Sequence, residues 1–380
     1  MRILYQSNGF LPSLIGGVEV LSYHLLWELG RRGHQVLAIS ECRQMDQLGR
    51  RTFDGIDLVQ LAFAPTMASR NLSAMRDTHA KVAEVVDGFR PDLLHLNDTG
   101  LGSLFFLRGG ATGYIPRILT LHSPVRPPDS LGLQGRMAMD VDHVVAVSQA
   151  IRDDALAAMP ALDGRISLIR NALPMPDEVP MELPFAPPVL LCLGRVVREK
   201  GFHVAVRAFA LLRKRGVDAR LVIAGNGDEV TSLETLAAEL GIADRLVFTD
   251  WVMPDRVPDL LNSATLVLMP SRWPEPFGLV ALQAAQMGRP VIASAVGGLP
   301  EIVDDGTTGL LVESGDEAAL ADAIEALLSD APAARLMGAA ARKHAAQAFD
   351  FSVLVDGYER AYEQAVSSCS ARPGSRERAA

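Results

Sequence analysis

The segment Pro274-Glu275-Pro276-Phe277-Gly278 places a carboxylate and a glycine directly before a predicted helix. Free backbone N–H groups at a helix start bind anions or hydroxyl-rich ligands, and Glu275 can accept hydrogen bonds from hydroxyl groups. Gln283 follows about two helical turns later and can reach a ribose hydroxyl as donor or acceptor. The backbone amides that we expect to face the ligand are those of Phe277, Gly278, Leu279 and Val280. The alternative is that Glu275 only caps the helix.

Positive charge for a phosphate group is found in a second segment. Gly194 follows a predicted strand, and Arg195, Arg198 and Lys200 come after it, before the next predicted helix. The guanidinium of Arg195 can bind phosphate through two parallel hydrogen bonds, and Lys200 adds a point charge. We expect these two residues to bind phosphate and Arg198 to be exposed. The alternative is a solvated loop in which Glu199 forms an ion pair.

Two glycine-rich turns predict further contacts with such a ligand. Gly16 and Gly17 precede an amphipathic helix whose first amides can approach an anion, although an ordinary turn between strand and helix has the same pattern. Gly225 and Asn226 follow another predicted strand, at the edge where open α/β sheets bind ligands. We therefore include these four residues, with Gly194, in the predicted binding site.

His122 and His95 are the histidines whose positions indicate more than a surface role. His122 follows the last residue of a predicted strand and immediately precedes Ser123-Pro124, so we expect its ring to face the ligand. His95 lies inside another predicted strand, where it is either functional or a hydrogen-bonded core residue.

Length, charge and cysteine content limit the class of protein. A chain of 380 residues with 49% hydrophobic content predicts two domains of ordinary size. The net charge is −9, and residues 1–170 contain 17 basic and 17 acidic residues, so the whole acidic excess follows residue 170. An acidic second half argues against non-specific binding of nucleic acids. Three widely separated cysteines without metal-ligand spacing predict neither a disulfide framework nor a metal site.

The N-terminus, Met1 to Ser7, has the pattern of a strand and lacks the apolar stretch of a signal peptide. No apolar run reaches the roughly 18 residues that a membrane span requires. We therefore predict a cytoplasmic protein, and peripheral association with the inner face of the membrane stays open.

Short strands and helices alternate along most of the chain, a pattern that predicts parallel sheets covered by helices. The predicted strands of the first half are residues 3–7, 35–40, 93–97, 117–121, 143–147 and 166–169. Those of the second half are residues 189–193, 221–224, 246–249, 266–269 and 291–293. The main predicted helices are residues 18–31, 149–159, 318–328, 331–348 and 351–366.

Six prolines from Asn171 to Pro188 interrupt this alternation and indicate a linker between two Rossmann-like domains. The small, polar and charged C-terminus predicts a disordered tail. The predicted order is a first domain at 1–170, a linker at 171–188, a second domain at 189–348, a helix at 349–366 that crosses back to the first domain, and the tail at 367–380.

Five segments together resemble the retaining glycosyltransferases of family 4, which have the GT-B fold. They are GGVE from Gly16, GRVVREKG from Gly194, AGNGDE from Ala224, EPFGLVALQAAQMGRPVIAS from Glu275 and GGLPEIVDDGTTGLLV from Gly297. The resemblance implies an α/β protein with two Rossmann-like domains that face each other across a cleft. It also implies that the N-terminal domain binds the acceptor and the C-terminal domain binds the nucleotide-sugar donor.

The resemblance further implies the reaction. Enzymes of this family transfer a sugar from a nucleotide diphosphate donor to an acceptor with retained anomeric configuration, and they use no bound metal. For this chain we expect a hexose to move from a UDP- or GDP-sugar to a hydroxyl group of a glycan, lipid-linked or small-molecule acceptor. No other cofactor is expected.

Carried over by position, Arg195 and Lys200 would neutralise the diphosphate leaving group together with the amides of Gly16-Gly17. Glu275 would bind hydroxyls of the transferred sugar, and His122 would contact the sugar near its reacting centre. The leaving phosphate itself would assist deprotonation of the acceptor, so no enzymatic nucleophile is required.

Gln283 stands where members of this family usually carry a second glutamate, eight residues after the first. The amide is expected to weaken or retune nucleotide binding by about 1–3 kcal/mol. This residue motivates one alternative function, a catalytically silent subunit that binds a nucleotide sugar; another alternative is a sugar-nucleotide epimerase of the same architecture. For the acceptor we predict contacts from Arg70, Asn71 and Arg126, and the arginines favour a phosphorylated or lipid-linked molecule.

Overall fold

The structure is a computed structural model that describes residues 1–42, 48–107, 114–125 and 132–370, without the side chains of residues 107, 369 and 370. The chain forms two compact units. Unit 1 contains residues 1–170 together with the last helix from Ser352, and unit 2 contains residues 171–351. In the described ranges, no helix combines the length and apolar character that a membrane span requires.

Unit 1 is built on one sheet. Its described strands are β1 (Arg2–Ser7), β2 (Gln35–Glu41), β3 (Gly49–Phe53), β4 (Ile56–Leu61), β5 (Leu93–Leu96), β6 (Arg117–Leu121), β7 (His143–Ala146) and β8 (Ile166–Leu168). They are arranged in the order β3-β4-β2-β1-β5-β6-β7-β8. The β3–β4 hairpin is antiparallel, and the other described pairs are parallel. The central strands are buried along their length because helices cover both faces of such a sheet.

The described helices of the first 170 residues are α1 (Gly17–Arg31), α2 (Phe63–Ala68), α3 (Leu72–Phe89), α4 (Leu104–Leu107), α5 (Leu133–Asp140) and α6 (Gln149–Ala158). In α1, Leu21, Leu25 and Leu29 recur at helical spacing and are buried. This apolar stripe packs the helix on the sheet. The packing fixes the first turn of α1, which follows the loop after β1.

Unit 2 contains a second, fully parallel sheet. Its described strands are β9 (Val189–Leu193), β10 (Arg220–Ala224), β11 (Leu246–Thr249), β12 (Leu266–Met269), β13 (Val291–Ser294) and β14 (Gly309–Val312). Their order is β11-β10-β9-β12-β13-β14. The helices are α7 (Phe202–Lys214), α8 (Val230–Glu239), α9 (Val257–Asn262), α10 (Leu279–Gln286), α11 (Glu317–Ser329) and α12 (Ala331–Ala348).

The last helix, α13 (Phe351–Ser370), packs on the sheet of unit 1 through two buried tyrosines. Tyr362 Oη lies 2.9 Å from His95 Nδ1, and His95 Nε2 lies 2.8 Å from Thr120 Oγ1. Tyr358 Oη lies 3.3 Å from the same threonine oxygen. His95 is therefore a hydrogen-bonded core residue, which decides between the two roles left open by the sequence.

Arg289 is fully buried in unit 2 and has no carboxylate partner among the described residues. It donates to the carbonyl oxygens of Met287 at 3.0 Å and Ala264 at 3.1 Å, and to that of Met181. Burial lowers the pKa of its guanidinium to about 10. A charged group without a counterion is tolerated inside a protein only when such hydrogen bonds replace water. The proline-rich segment is thus attached to unit 2 at Met181.

The strands and main helices predicted from the sequence are confirmed, and apart from the end of α13 their bounds agree with the structure to within one residue. The prediction missed the β3–β4 hairpin and β14. The residues of β3 are mostly exposed and those of β14 mostly half-buried, whereas β4 is buried along most of its length. The prediction also ended α13 at Val366, whereas the helix continues to Ser370. The tail prediction from residue 371 onward lies outside the described residues.

Candidate active site

The order of strands in unit 2 brings the loops after β9 and β12 side by side at the carboxyl edge of the sheet. β9 lies between β10 and β12, so the chain leaves β9 toward one side of the sheet and returns on the other side. The carboxyl ends of strands at such a switch point form the usual ligand-binding crevice of an open α/β sheet. The loop after β9 carries residues 194–201, and the loop after β12 carries residues 270–278. The two segments that the sequence singled out are therefore neighbours.

Lys200 and Glu275 form an ion pair where these loops meet. Lys200 Nζ lies 2.7 Å from Glu275 Oε1, and the carboxylate is only 5% exposed. Ser271 Oγ donates to the same oxygen at 2.6 Å. Glu275 Oε2 accepts no hydrogen bond within the described residues, and it is not among the buried polar atoms that lack a partner. This second oxygen is thus available to a ligand.

Glycines allow the two loops to come this close. Gly201 has a φ of +67°, and a Cβ at this position would lie 1.9 Å from the carbonyl oxygen of Pro270. The amide of Arg272 donates to the carbonyl of Glu199 at 2.9 Å. A larger residue at Gly201 would separate the loops, and Lys200 would then lose its contact with Glu275.

The Gly297-Gly298 turn supports Glu275 from the other side. The amide of Gly298 donates to the carbonyl oxygen of Glu275 at 2.7 Å. Gly297 has a φ of +57°, and a Cβ there would lie 2.2 Å from that carbonyl oxygen. The backbone at Glu275 is therefore held by direct contact with a turn that only glycine can form.

The loops after β9 and β10 are also packed together. Gly225 has a φ of +134°, and a Cβ there would lie 2.0 Å from the carbonyl oxygen of Gly194. Gly194 has the same φ, but no atom lies within 4 Å of its Cβ position. Asn226 Nδ2 donates to Asp250 Oδ1 at 2.9 Å, so this amide joins the turns after β10 and β11. Gly225 and Asn226 thus have structural roles, whereas Gly194 leaves open space.

The cations of the loop after β9 differ in their surroundings. Arg195 is exposed and forms no ion pair within the described residues, so its guanidinium is available to an anion. Arg198 is exposed, as predicted, and lies 3.5 Å from Glu229. The alternative of an ion pair with Glu199 is not seen, because Lys200 contacts Glu275 instead.

Helix α10 begins at Leu279, after Gly278 with a φ of +111°. Its N-cap residue provides no side-chain hydrogen bond, and Glu275 makes none to the helix amides in the part of the chain described. Glu275 is therefore not a helix cap. Phe277 is buried against Phe349, with ring centroids 5.6 Å apart, so only its backbone can serve a ligand. Gln283 is half-buried, and no hydrogen bond of its side chain is found among the described residues.

In unit 1, His122 is held by a chain of buried hydrogen bonds. Ser22 Oγ donates to the carbonyl of Val18 at 2.7 Å, so it accepts from Tyr5 Oη at 2.7 Å and from Asn97 Nδ2 at 3.1 Å. Asn97 Oδ1, 3.0 Å from His122 Nε2, then accepts the proton of that nitrogen. The network fixes the tautomer, and Nδ1 of His122 carries the lone pair.

The stability of unit 1 is expected to fall on acidification below about pH 6.5. Burial lowers the pKa of His95 to about 3 and that of His122 to about 4. The unfolded chain binds protons near pH 6.5, so between these values it holds more protons than the folded chain, and each histidine removes up to about 1.4 kcal/mol of unfolding free energy per pH unit. Urea unfolding followed by circular dichroism at pH 7, 6 and 5 measures this loss; equal stability at all three values would contradict it.

The remaining predicted residues have different surroundings. Gly16 is extended, with a φ of −160°, and precedes the first turn of α1. A Cβ there would lie 2.5 Å from Glu19 Oε2, so the protein's own carboxylate occupies space beside the predicted phosphate position at Gly16-Gly17. Asn71 accepts from the amides of Ser73 and Ala74 as the N-cap of α3.

Arg70 is exposed beside that cap, with a φ of +51°. Arg126 lies outside the described residues. The structure therefore brings Lys200 and Glu275 together in unit 2, and Arg70 and Asn71 lie side by side at the start of α3 in unit 1. Ser271 is the functional candidate that the sequence interpretation missed, although its position two residues after the end of β12 was an available signal.

A groove of about 700 Å³ is lined by residues of α7 and α8 and by Arg198 and Arg272 of the two loops. It is lined by three arginines and three glutamates, so their charges cancel. None of the residues predicted for the site lines it. The charged lining residues are Arg198, Arg207, Arg272, Glu229, Glu239 and Glu317.

Comparison with known proteins shows the family of the chain. Residues 15–175 match the model of Glycosyltransferase Family 4, and residues 180–344 match the model of Glycosyl transferases group 1. The alpha-maltose-1-phosphate synthase of Mycolicibacterium smegmatis is 32% identical over 331 residues, which is 77% of this chain and 81% of that protein. The chain belongs to the group 1 glycosyltransferases with a Glycosyltransferase Family 4 N-terminal half.

The fold of this glycosyltransferase is GT-B, with two Rossmann-like units. The sucrose-phosphate synthase of Thermosynechococcus elongatus superposes with a TM-score of 0.81 at 23% identity, covering 97% of this chain and 99% of that one. HepE of Anabaena, in complex with UDP and glucose, gives a TM-score of 0.79 at 21% identity, covering 96% and 99%. At these identities the superpositions show the fold alone.

Proposed function

We propose that this glycosyltransferase moves a hexose from a UDP- or GDP-sugar to a hydroxyl acceptor, with retention of configuration and without a metal ion. The observation that carries the proposal is the ion pair of Lys200 with the buried Glu275 at the switch point, where Glu275 Oε2 has no partner among the described residues. A carboxylate oxygen beside a cation suits sugar hydroxyls next to a diphosphate. The complex of HepE with UDP and glucose supports such a donor.

In this proposal the diphosphate lies beside Arg195, whose guanidinium is exposed and unpaired within the described residues. Open space above Gly194 permits close backbone approach, and the amides at the start of α10 add partial positive charge. Lys200 neutralises Glu275 before the donor arrives and shares its remaining N–H groups with a phosphate oxygen afterwards. These groups stabilise the charge that develops on the leaving diphosphate.

The proposal assigns His122 to the transferred sugar, since its Nδ1 lone pair can accept from a hydroxyl. The amides of Gly16-Gly17 contact the diphosphate, and the carboxylate of Glu19 must first leave the space beside Gly16. The leaving phosphate takes the proton of the acceptor hydroxyl as the new glycosidic bond forms on the same face. Acceptor contacts from Arg70 and Asn71, and association with the inner face of a membrane, are parts of the same proposal.

Ligand binding followed by product analysis tests this function. The full chain is screened by thermal shift against UDP, GDP, UDP-glucose and GDP-mannose, because a bound ligand raises the melting temperature. The donor that binds is then incubated with sugar, lipid-linked and small-molecule acceptors, with and without EDTA, and the anomeric configuration of the product is read by NMR. Transfer with retention, unchanged by EDTA, is expected.

The alternatives give different results in the same experiment. Binding of a nucleotide sugar without transfer or hydrolysis would indicate a silent binding subunit. Conversion of the bound nucleotide sugar into its epimer, with no acceptor required, would indicate an epimerase.

A further inference from the structure

Ser271 is buried beside the proposed sugar site and contacts its carboxylate directly. The residue is 1% exposed, and its Oγ lies 2.6 Å from Glu275 Oε1. Lys200 Nζ lies 2.7 Å from the same oxygen. Both donors therefore bind one oxygen, while Oε2 receives none from the described residues.

The backbone at Ser271 is fixed independently of Glu275. Its carbonyl oxygen accepts from Ser314 Oγ at 2.9 Å. The next amide, that of Arg272, donates to the carbonyl of Glu199 at 2.9 Å. The hydroxyl of Ser271 thus approaches the carboxylate from a position that does not depend on a ligand.

This geometry restrains the rotation of the carboxylate. An ammonium group alone can sit between both oxygens of a carboxylate, because it has three donors and no directional preference for one oxygen. A hydroxyl donor on Oε1 fixes the plane of the carboxylate, and it leaves the lone pairs of Oε2 without a protein partner.

We propose that Ser271 is a positioning residue that holds Oε1 of Glu275, so that Oε2 faces the hydroxyls of the transferred sugar. The inference rests on the proposed function and adds to it a residue that determines sugar recognition. Without Ser271, Lys200 draws both carboxylate oxygens toward itself. The hydroxyls of the donor sugar then lose the carboxylate oxygen that accepts their hydrogen bonds, whereas the contacts of the nucleoside diphosphate are unchanged.

Isothermal titration of the full chain with UDP, UDP-glucose, GDP and GDP-mannose tests this division. In Ser271→Ala, the Kd of the nucleotide sugar that binds is expected to rise about tenfold relative to the Kd of the matching nucleoside diphosphate. The kcat of transfer should also fall, while the KM for the acceptor stays unchanged. Ser271→Thr is the matched control, because it keeps a hydroxyl at the position that contacts Glu275 Oε1.

The outcomes separate this inference from the function on which it rests. If Ser271→Ala raises the Kd of UDP and the Kd of UDP-glucose by the same factor, the residue is only structural and the inference is wrong. If Ser271→Thr folds and shows the same selective loss as Ser271→Ala, the hydroxyl does not hold the carboxylate and the inference is again wrong. If the wild-type chain binds none of the four compounds, the proposed function fails as well.

Discussion

Replacement of Glu275 by alanine is expected to lower sugar transfer about 10²- to 10³-fold, the effect typical of losing one preorganised polar group at a reacting centre. The variant removes the only side-chain oxygen that the loop after β12 is proposed to offer to the sugar. It also leaves Lys200, whose side chain is 22% exposed, without its partner. Initial rates with the donor identified by binding, together with circular dichroism, measure the effect and confirm the fold.

Glu199→Ala is the control for this prediction. Glu199 is an exposed carboxylate one residue from Lys200, and its side chain has no ion pair within the described residues. Its loss should leave transfer within about twofold, as for surface substitutions in general. Near-normal turnover of the Glu275 variant would remove the sugar-binding role of this residue.

Replacement of Gly297 by alanine is expected to damage both folding and transfer. The left-handed φ of +57° costs an alanine about 1–2 kcal/mol. The new Cβ would also lie 2.2 Å from Glu275 O and 2.6 Å from Glu275 N, so the turn or Glu275 must move. A displacement of about 1 Å at a reacting group lowers the rate about 10²-fold. Thermal unfolding and initial rates test the two effects.

Gly306→Ala separates strain from displacement. Gly306 has a similar φ of +74°, but no atom lies within 4 Å of its Cβ position. This variant should therefore lose stability through the backbone alone and retain transfer. Equal activities in the two variants would show that the Gly297-Gly298 turn does not position Glu275.

The alternating strands were predictable because each buried strand is a short apolar run between turn residues. β3 was not, because its residues are mostly exposed and it pairs only with β4 at the edge of the sheet. The residues of the donor loops were predictable from their types and from glycine spacing. Their pairing was not, because Lys200 and Glu275 are 75 positions apart and meet only through the strand order.

Ser271 shows a second limit of the sequence. A serine after a buried strand is common, and only the distance to Glu275 Oε1 gives it a role. Asn71 was predicted only as an acceptor contact, and the structure shows that its side chain also caps α3. Chemistry that depends on local spacing can be predicted, and chemistry that depends on tertiary contacts cannot.

The buried guanidinium of Arg289 has a consequence for any attempt to cut the gene into separate domains. Gln286 donates to the carbonyls of Leu173 and Pro174, and Arg289 reaches that of Met181. The proline-rich segment is thus packed onto unit 2 as part of its structure and is not a free linker. A fragment that began at Val189 would discard these acceptors, so the natural point of division lies before Asn171.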